Sequence, residues 1–276
     1  MYRWSCLFLL GCSSYEGVDM MRKLKVGIYG FTGCAGDQLV IVHSEDEILD
    51  FFSSVEVVSF LMAQRDNKDE ELDIALIEGS ITTLEQKEKL EKIASRAKTI
   101  VAIGTCACFG GIQSMKLGIG GYEERFKGVY GNAKIEAVEP FESLPIDAFV
   151  KVDYYIPGCP IDKNQFFRAF SRIINGAPPE KFIFPVCAEC KWKGNGCLLL
   201  ENILCLGPIT SAGCGAICPS HNLSCVGCWG LYEDANLYSE YRLLLEKGFK
   251  RDEITNRMRN FGGKKFADNL KEIEKK

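Results

Sequence analysis

Residues 23–37 read KLKVGIYGFTGCAGD. The first eight, ending at Gly30, alternate and carry the β-favouring Val, Ile and Tyr, so they are predicted to form a strand. Residues 31–37 form a glycine-rich loop bearing Cys34 and Asp37. Further candidate strands are 55–61 (VEVVSFL), 73–78 (DIALIE), 99–103 (TIVAI) and 150–156 (VKVDYYI). Between them lie helical runs. Ser44 and Glu47 form a capping box for a helix over 45–52, and Thr82 and Glu85 form another for a helix reaching about residue 98. Residues 162–174 give a last helix, stopped by Gly176 and Pro178-Pro179. This alternation predicts an α/β fold with a parallel, flavodoxin-like sheet over residues 22–178. The glycine-rich stretch 112–149 is read as an inserted loop.

Beyond the proline pair, residues 179–276 are a different kind of chain. From 182 to 230 there is no sustained helical or strand period, so this segment is expected to lack a hydrophobic core of its own and to be organised by cofactors. Amphipathic helices are predicted over 238–247 and 251–260, packing against the body or a partner. Residues 1–21 precede the first strand with a short apolar run. They are read as a disordered extension or a start codon placed too far upstream, so Cys6 and Cys12 receive no function.

Composition narrows the function classes. The chain has 276 residues, 47% hydrophobic and 25% charged, as in ordinary globular proteins. A net charge of −4 gives no reason to expect nucleic acid, and no run is long enough to span a bilayer. Two histidines leave little for histidine-based chemistry, whereas cysteine, at 14, is far above the ordinary share. A disulfide scaffold would be small and cysteine-dense throughout, unlike this chain. Metal ligation is the better reading.

In doubly wound sheets, ligands bind beyond the carboxyl ends of the strands. Three of those ends carry a thiol with glycine beside it: Gly33-Cys34, Gly104-Thr-Cys106 and Gly158-Cys159. Asp37 would complete a four-ligand set; Cys108 is the rival, and Asp37 could instead simply cap the following helix. Downstream stand Cys187, Cys190, Cys197, Cys205, Cys214, Cys218, Cys225 and Cys228, eight thiols for two four-ligand sites. Their spacing alone is compatible with zinc ribbons or with iron–sulfur clusters. A third thiolate-rich site upstream is left unexplained by zinc.

As an ordered set, Glu78-Gly79-Ser80, Gly104-Thr-Cys106, Pro157-Gly-Cys159-Pro160 and Cys205-Leu-Gly-Pro208-Ile-Thr-Ser-Ala-Gly-Cys214 resemble the small subunits of nickel–iron hydrogenases. The run Phe184-Pro-Val-Cys187-Ala-Glu-Cys190, with Gly196-Cys197, is most similar to the delta subunits of archaeal cytoplasmic sulfhydrogenases. The resemblance covers about residues 22–260. It implies three 4Fe–4S clusters: a proximal one on Cys34, Asp37, Cys106 and Cys159; a medial one on Cys214, Cys218, Cys225 and Cys228; a distal one on Cys187, Cys190, Cys197 and Cys205. It further implies a cytoplasmic electron-transfer subunit of a hydrogenase, an oxidoreductase in which hydrogen is activated in a separate large subunit that carries the nickel–iron centre. FAD and NAD(P) would sit in iron–sulfur and diaphorase partners or be replaced by a polysulfide-reducing module. This chain has no G-x-G-x-x-G nucleotide fingerprint of its own. Most of the family has cysteine where Asp37 stands, and deazaflavin-reducing hydrogenases share the aspartate. The small subunit of a heterodisulfide-reductase-linked or deazaflavin-reducing hydrogenase is the near alternative, and a zinc-binding scaffold subunit the alternative from another class.

Overall fold

The computed structural model describes residues 22–45, 47–133 and 139–273. The upstream extension with Cys6 and Cys12 lies outside the described residues. The elements up to residue 174 are β1 (Leu24–Gly30), α1 (Gly36–Val42), α2 (Ile48–Ser54), β2 (Val55–Phe60), β3 (Leu72–Glu78), β4 (Ile81–Thr83), α3 (Leu84–Arg96), β5 (Ala97–Ile103), α4 (Gly104–Phe109), α5 (Tyr122–Tyr130), β6 (Pro140–Leu144), β7 (Tyr154–Ile156) and α6 (Lys163–Ile174). Then come α7 (Val186–Trp192), α8 (Ile217–Ser220), α9 (Leu237–Glu246) and α10 (Arg251–Ile273).

The main sheet has the order β2-β1-β3-β5-β7, and every pairing is parallel. With the short β4 and β6 set aside in their own antiparallel pair, this is the flavodoxin-like order. Central β3 is buried along its whole length, as a parallel strand covered on both faces must be. Strand residues alternate between the two faces. Val26, Ile28, Ile74, Leu76, Val101 and Ile103 meet Phe166 and Phe170 of α6 and Phe51 of α2. Tyr29, Ala75, Ile77 and Ala102 face the other way, onto Leu90 and Ile93 of α3.

Several boundaries differ from the sequence reading for local reasons. Ser44 does not cap the next helix: its hydroxyl donates to the Val40 carbonyl at 2.6 Å, and helix starts again only at Ile48. The box at α3 is displaced by one residue. Thr83 Oγ1 accepts from the Gln86 N–H at 3.2 Å, while Gln86 Oε1 accepts from the Thr82 N–H at 2.9 Å. The helix expected after Asp37 is α1, but it opens at Ala35 in the left-handed region with no capping side chain, and Asp37 stands in its first turn. The supposed loop 112–149 contains α5 and β6.

The cysteine-rich stretch does share a hydrophobic core, contrary to expectation. Val186, Leu198, Leu204, Leu206 and Ile209 pack with Leu244 of α9 and Ile254, Met258 and Phe266 of α10. The tail helices supply the apolar surface that the irregular segment cannot gather by periodicity. Helix α10 runs past the expected residue 260 and breaks at Gly263 (φ 52°, ψ −141°). Any side chain there would meet the Phe109 carbonyl oxygen at 1.5 Å, so this bend lets the last helix lie directly on α4.

Candidate metal centres

The segments after β1, β5 and β7 leave the same end of the sheet and carry Cys34, Cys106 (in α4) and Cys159. Cys34 and Cys159 are exposed in the isolated chain, and Cys106 is half-buried. The Cys106 thiol donates to Gln113 Oε1 at 3.4 Å. Burial pushes it up to about 12, and the charges of Cys159, Asp37 and Cys34 add to the rise. The thiols and the carboxyl are therefore close enough to feel one another.

Asp37, in the first turn of α1, is buried and directed into this group. Its Oδ1 accepts from the Ile161 N–H at 2.8 Å. Burial raises its carboxyl to about 7; the Ile161 N–H opposes that rise and the Glu78 charge adds to it. Gly104 makes room for it: a Cβ there would lie 1.8 Å from Asp37 Oδ2, and its φ of +77° suits glycine. Glu78 is buried at the end of β3 and accepts a hydrogen bond from Gln38 Nε2. Cys108, the rival ligand, points elsewhere. It is buried among the side chains behind the sheet and its thiol donates to the Ala102 carbonyl at 3.5 Å.

The eight downstream thiols fall into two groups. Cys187, Cys190, Cys197 and Cys205 line one cavity with Val186, Leu198, Leu199 and Pro208. Its free space is about 40 Å³, against the roughly 10–15 Å³ that one water requires on the same measure. Gly207 borders it closely: a Cβ there would lie 3.2 Å from Cys187 Sγ and 3.5 Å from Cys205 Sγ. Cys214, Cys218, Cys225 and Cys228 line a second cavity, of about 250 Å³. Cys159 also lines this second cavity, and Val186 and Pro219 belong to the walls of both. The three groups are thus contiguous, with the Cys214 group in the middle. Among the described residues, no three His, Cys, Asp or Glu side chains converge tightly enough for a single metal ion. The donor sets, four thiols around each of two cavities, have the chemistry of a thiolate-bound metal body.

Burial pushes the Cys187 and Cys225 thiols up to about 12, and neighbouring thiolate charges add to the rise at each. Four thiolates in so small a space need a cationic body to hold them ionised. A hydrogen bond prepares one of the sulfurs for charge: the Cys225 N–H donates to Cys205 Sγ at 3.3 Å.

Sequence reasoning missed the residues that hold these loops. Glu189, between Cys187 and Cys190, accepts from the Gly213 N–H at 2.9 Å and the Ala216 N–H at 3.2 Å. It therefore fastens the loop carrying Cys214 to the helix carrying the other group. Thr105 acts similarly, its hydroxyl donating to the Cys228 carbonyl. The only available signal was position beside cysteines, since the partners are main-chain atoms far away in the sequence.

Residues 34–173 match the family of the NADH ubiquinone oxidoreductase, 20 Kd subunit. The chain is 36% identical to Sulfhydrogenase 2 subunit delta of Pyrococcus furiosus over 239 residues, 86% of this chain and 99% of that protein. It is 32% identical to a subunit of the F420-non-reducing hydrogenase of Methanocaldococcus jannaschii, over 75% of this chain and 82% of the relative. In fold it is similar to a chain of the actinobacterial-type nickel–iron hydrogenase from Ralstonia eutropha H16. That match has a TM-score of 0.57 and 15% identity, and covers 93% of this chain and 90% of the other. From its motifs, its fold and these relatives together, the chain belongs to the NADH ubiquinone oxidoreductase 20 Kd subunit family, among the small subunits of nickel–iron hydrogenases.

Proposed function

We propose that this chain is the electron-transfer small subunit of a cytoplasmic hydrogenase, relaying electrons between a large subunit's nickel–iron centre and a flavin- and NAD(P)-linked or polysulfide-reducing module. The relay consists of three 4Fe–4S clusters held by Cys34, Asp37, Cys106 and Cys159, by Cys214, Cys218, Cys225 and Cys228, and by Cys187, Cys190, Cys197 and Cys205. Residues 22–178 and 179–276 act as two structural units, and residues 1–21 as an extension without a role in the relay.

The observation that carries this reading is the contiguity of the three donor groups, with Cys159 of the first lining the cavity of the second. Once bound, clusters of this kind accept and release single electrons with little rearrangement. The protein's own residues hold, shield and tune. Val186, Leu198, Leu199 and Pro208 keep water from the Cys187 group, and the N–H donated to Cys205 Sγ stabilises negative charge on that sulfur. The exposure of Cys34 and Cys159 in the isolated chain suits a face that a large subunit covers. Among the described residues no helix is long and apolar enough to cross a membrane.

The test is anaerobic purification with iron and zinc analysis and paramagnetic resonance after reduction, on the natural chain and on Asp37→Asn. The reading expects iron in amounts for three clusters, and an Asp37→Asn spectrum altered only in the component assigned to the Cys34 group. Colourless, zinc-bearing protein without iron would overturn the relay, and loss of all three components in Asp37→Asn would overturn the ligand assignment.

A further inference from the structure

We infer that Thr105 is the positioning residue that fixes the gap between the Cys34–Cys106–Cys159 group and the Cys214–Cys228 group. The inference rests on the relay proposed above and names the device that sets one of its steps.

Thr105 is 1% exposed and stands at the start of α4, joined by its own peptide bond to Cys106. Its hydroxyl donates to the main-chain carbonyl of Cys228. Its N–H donates to the Gly158 carbonyl at 2.7 Å, one residue before Cys159. One side chain and its amide thus tie together three segments that each carry a ligand: two from the first group and one from the second. Cys159 and Cys228 line the same cavity, so the tie lies where the two groups approach each other. It also joins the α/β half to the cysteine-rich half, linking positions 123 residues apart.

The step in question is simple. One electron leaves the first site, which is oxidised, and arrives at the second, which is reduced; no bond breaks and no proton moves. Its rate falls steeply with the separation of the two sites, so a residue that holds that separation controls it without touching either ligand's chemistry. Valine has the shape of threonine without the donor. In Thr105→Val, the Cys228 carbonyl loses its buried partner, and an unpaired buried carbonyl moves toward water or toward another donor. Serine keeps the donor.

The experiment uses the full chain, co-purified anaerobically with its large subunit, as the natural protein, Thr105→Val and Thr105→Ser. Iron content and the individual paramagnetic signals are expected to be the same in all three. In Thr105→Val the magnetic splitting between the first and second reduced sites should shrink. After rapid mixing with hydrogen and freeze-quenching, the second site's signal should rise several-fold more slowly than the first's. Thr105→Ser should restore both. Should Thr105→Val fail to load iron, Thr105→Ala takes its place with the same expectations. Natural splitting and natural rate in the hydroxyl-free variant overturn the inference alone. So does a Thr105→Ser protein as impaired as Thr105→Val, because the methyl group would then be what matters. A natural protein without iron signals overturns the relay itself, and this inference with it.

Discussion

β3 buries seven consecutive residues between two helical layers, whereas between Val186 and Trp229 the longest helix is α7, of seven residues. In the first region, parallel main-chain pairing and apolar side chains close the core, and the ligand-candidate cysteines Cys34, Cys106 and Cys159 stand at its edge. In the second, Cys205 and Cys225 are part of the buried core itself. A half built in the first way can exist without its metal. A half whose apolar core takes in two of its ligands depends in part on what they hold.

The strongest way to break that contrast is to remove the iron. Chelation under reducing conditions should open residues 186–230 to amide exchange, while the amides of β1, β3 and β5 remain protected. Mass spectrometry of exchange would show it; equal loosening of both regions would mean that they fold as one cooperative body. Next in size is Leu76→Ala, which hollows the sheet core at a fully buried position. It should cost about 2–5 kcal/mol in denaturant unfolding, with unchanged iron per folded molecule. Gly104→Ala should be milder in stability yet specific in effect. Alanine at φ +77° is destabilised by more than about 1 kcal/mol, and its methyl group displaces Asp37. Paramagnetic resonance should then show the first site perturbed and the other two intact. Smallest is Cys108→Ala, a loss of about 1 kcal/mol without loss of iron. A drop in iron content there would return Cys108 to the ligand set.

The two regions were also unequally legible. β1, β3 and β5 followed from runs of β-favouring residues, and α6 from Asp162, which does cap it by accepting from the Gln165 N–H at 2.8 Å. The start of α1 was not legible, because Ala35 takes a left-handed conformation with no residue type to advertise it. β7 is a shorter strand than the apolar run suggested, since only Tyr154–Ile156 pair with β5. The apolar core of the cysteine-rich half escaped notice because its members come from segments with no common period, brought together by α9 and α10. In the site, spacing gave only eight downstream thiols for two four-ligand sites, and their division into two groups came from the family resemblance. The cavity walls, the tie at Glu189 and the inward turn of Cys108 are products of tertiary packing, which spacing does not encode.

The seat of Gly263 on the Phe109 carbonyl has a bearing on how the molecule is made. Synthesis delivers α10 well after α4, yet α10 lies against α4, the short helix that begins beside Asp37 and contains Cys106. Until α10 has been made, the first ligand group is therefore missing one of its supports. Whatever inserts inorganic material there meets a looser pocket before α10 docks than after it, so that helix serves as a latch on work begun far upstream in the chain.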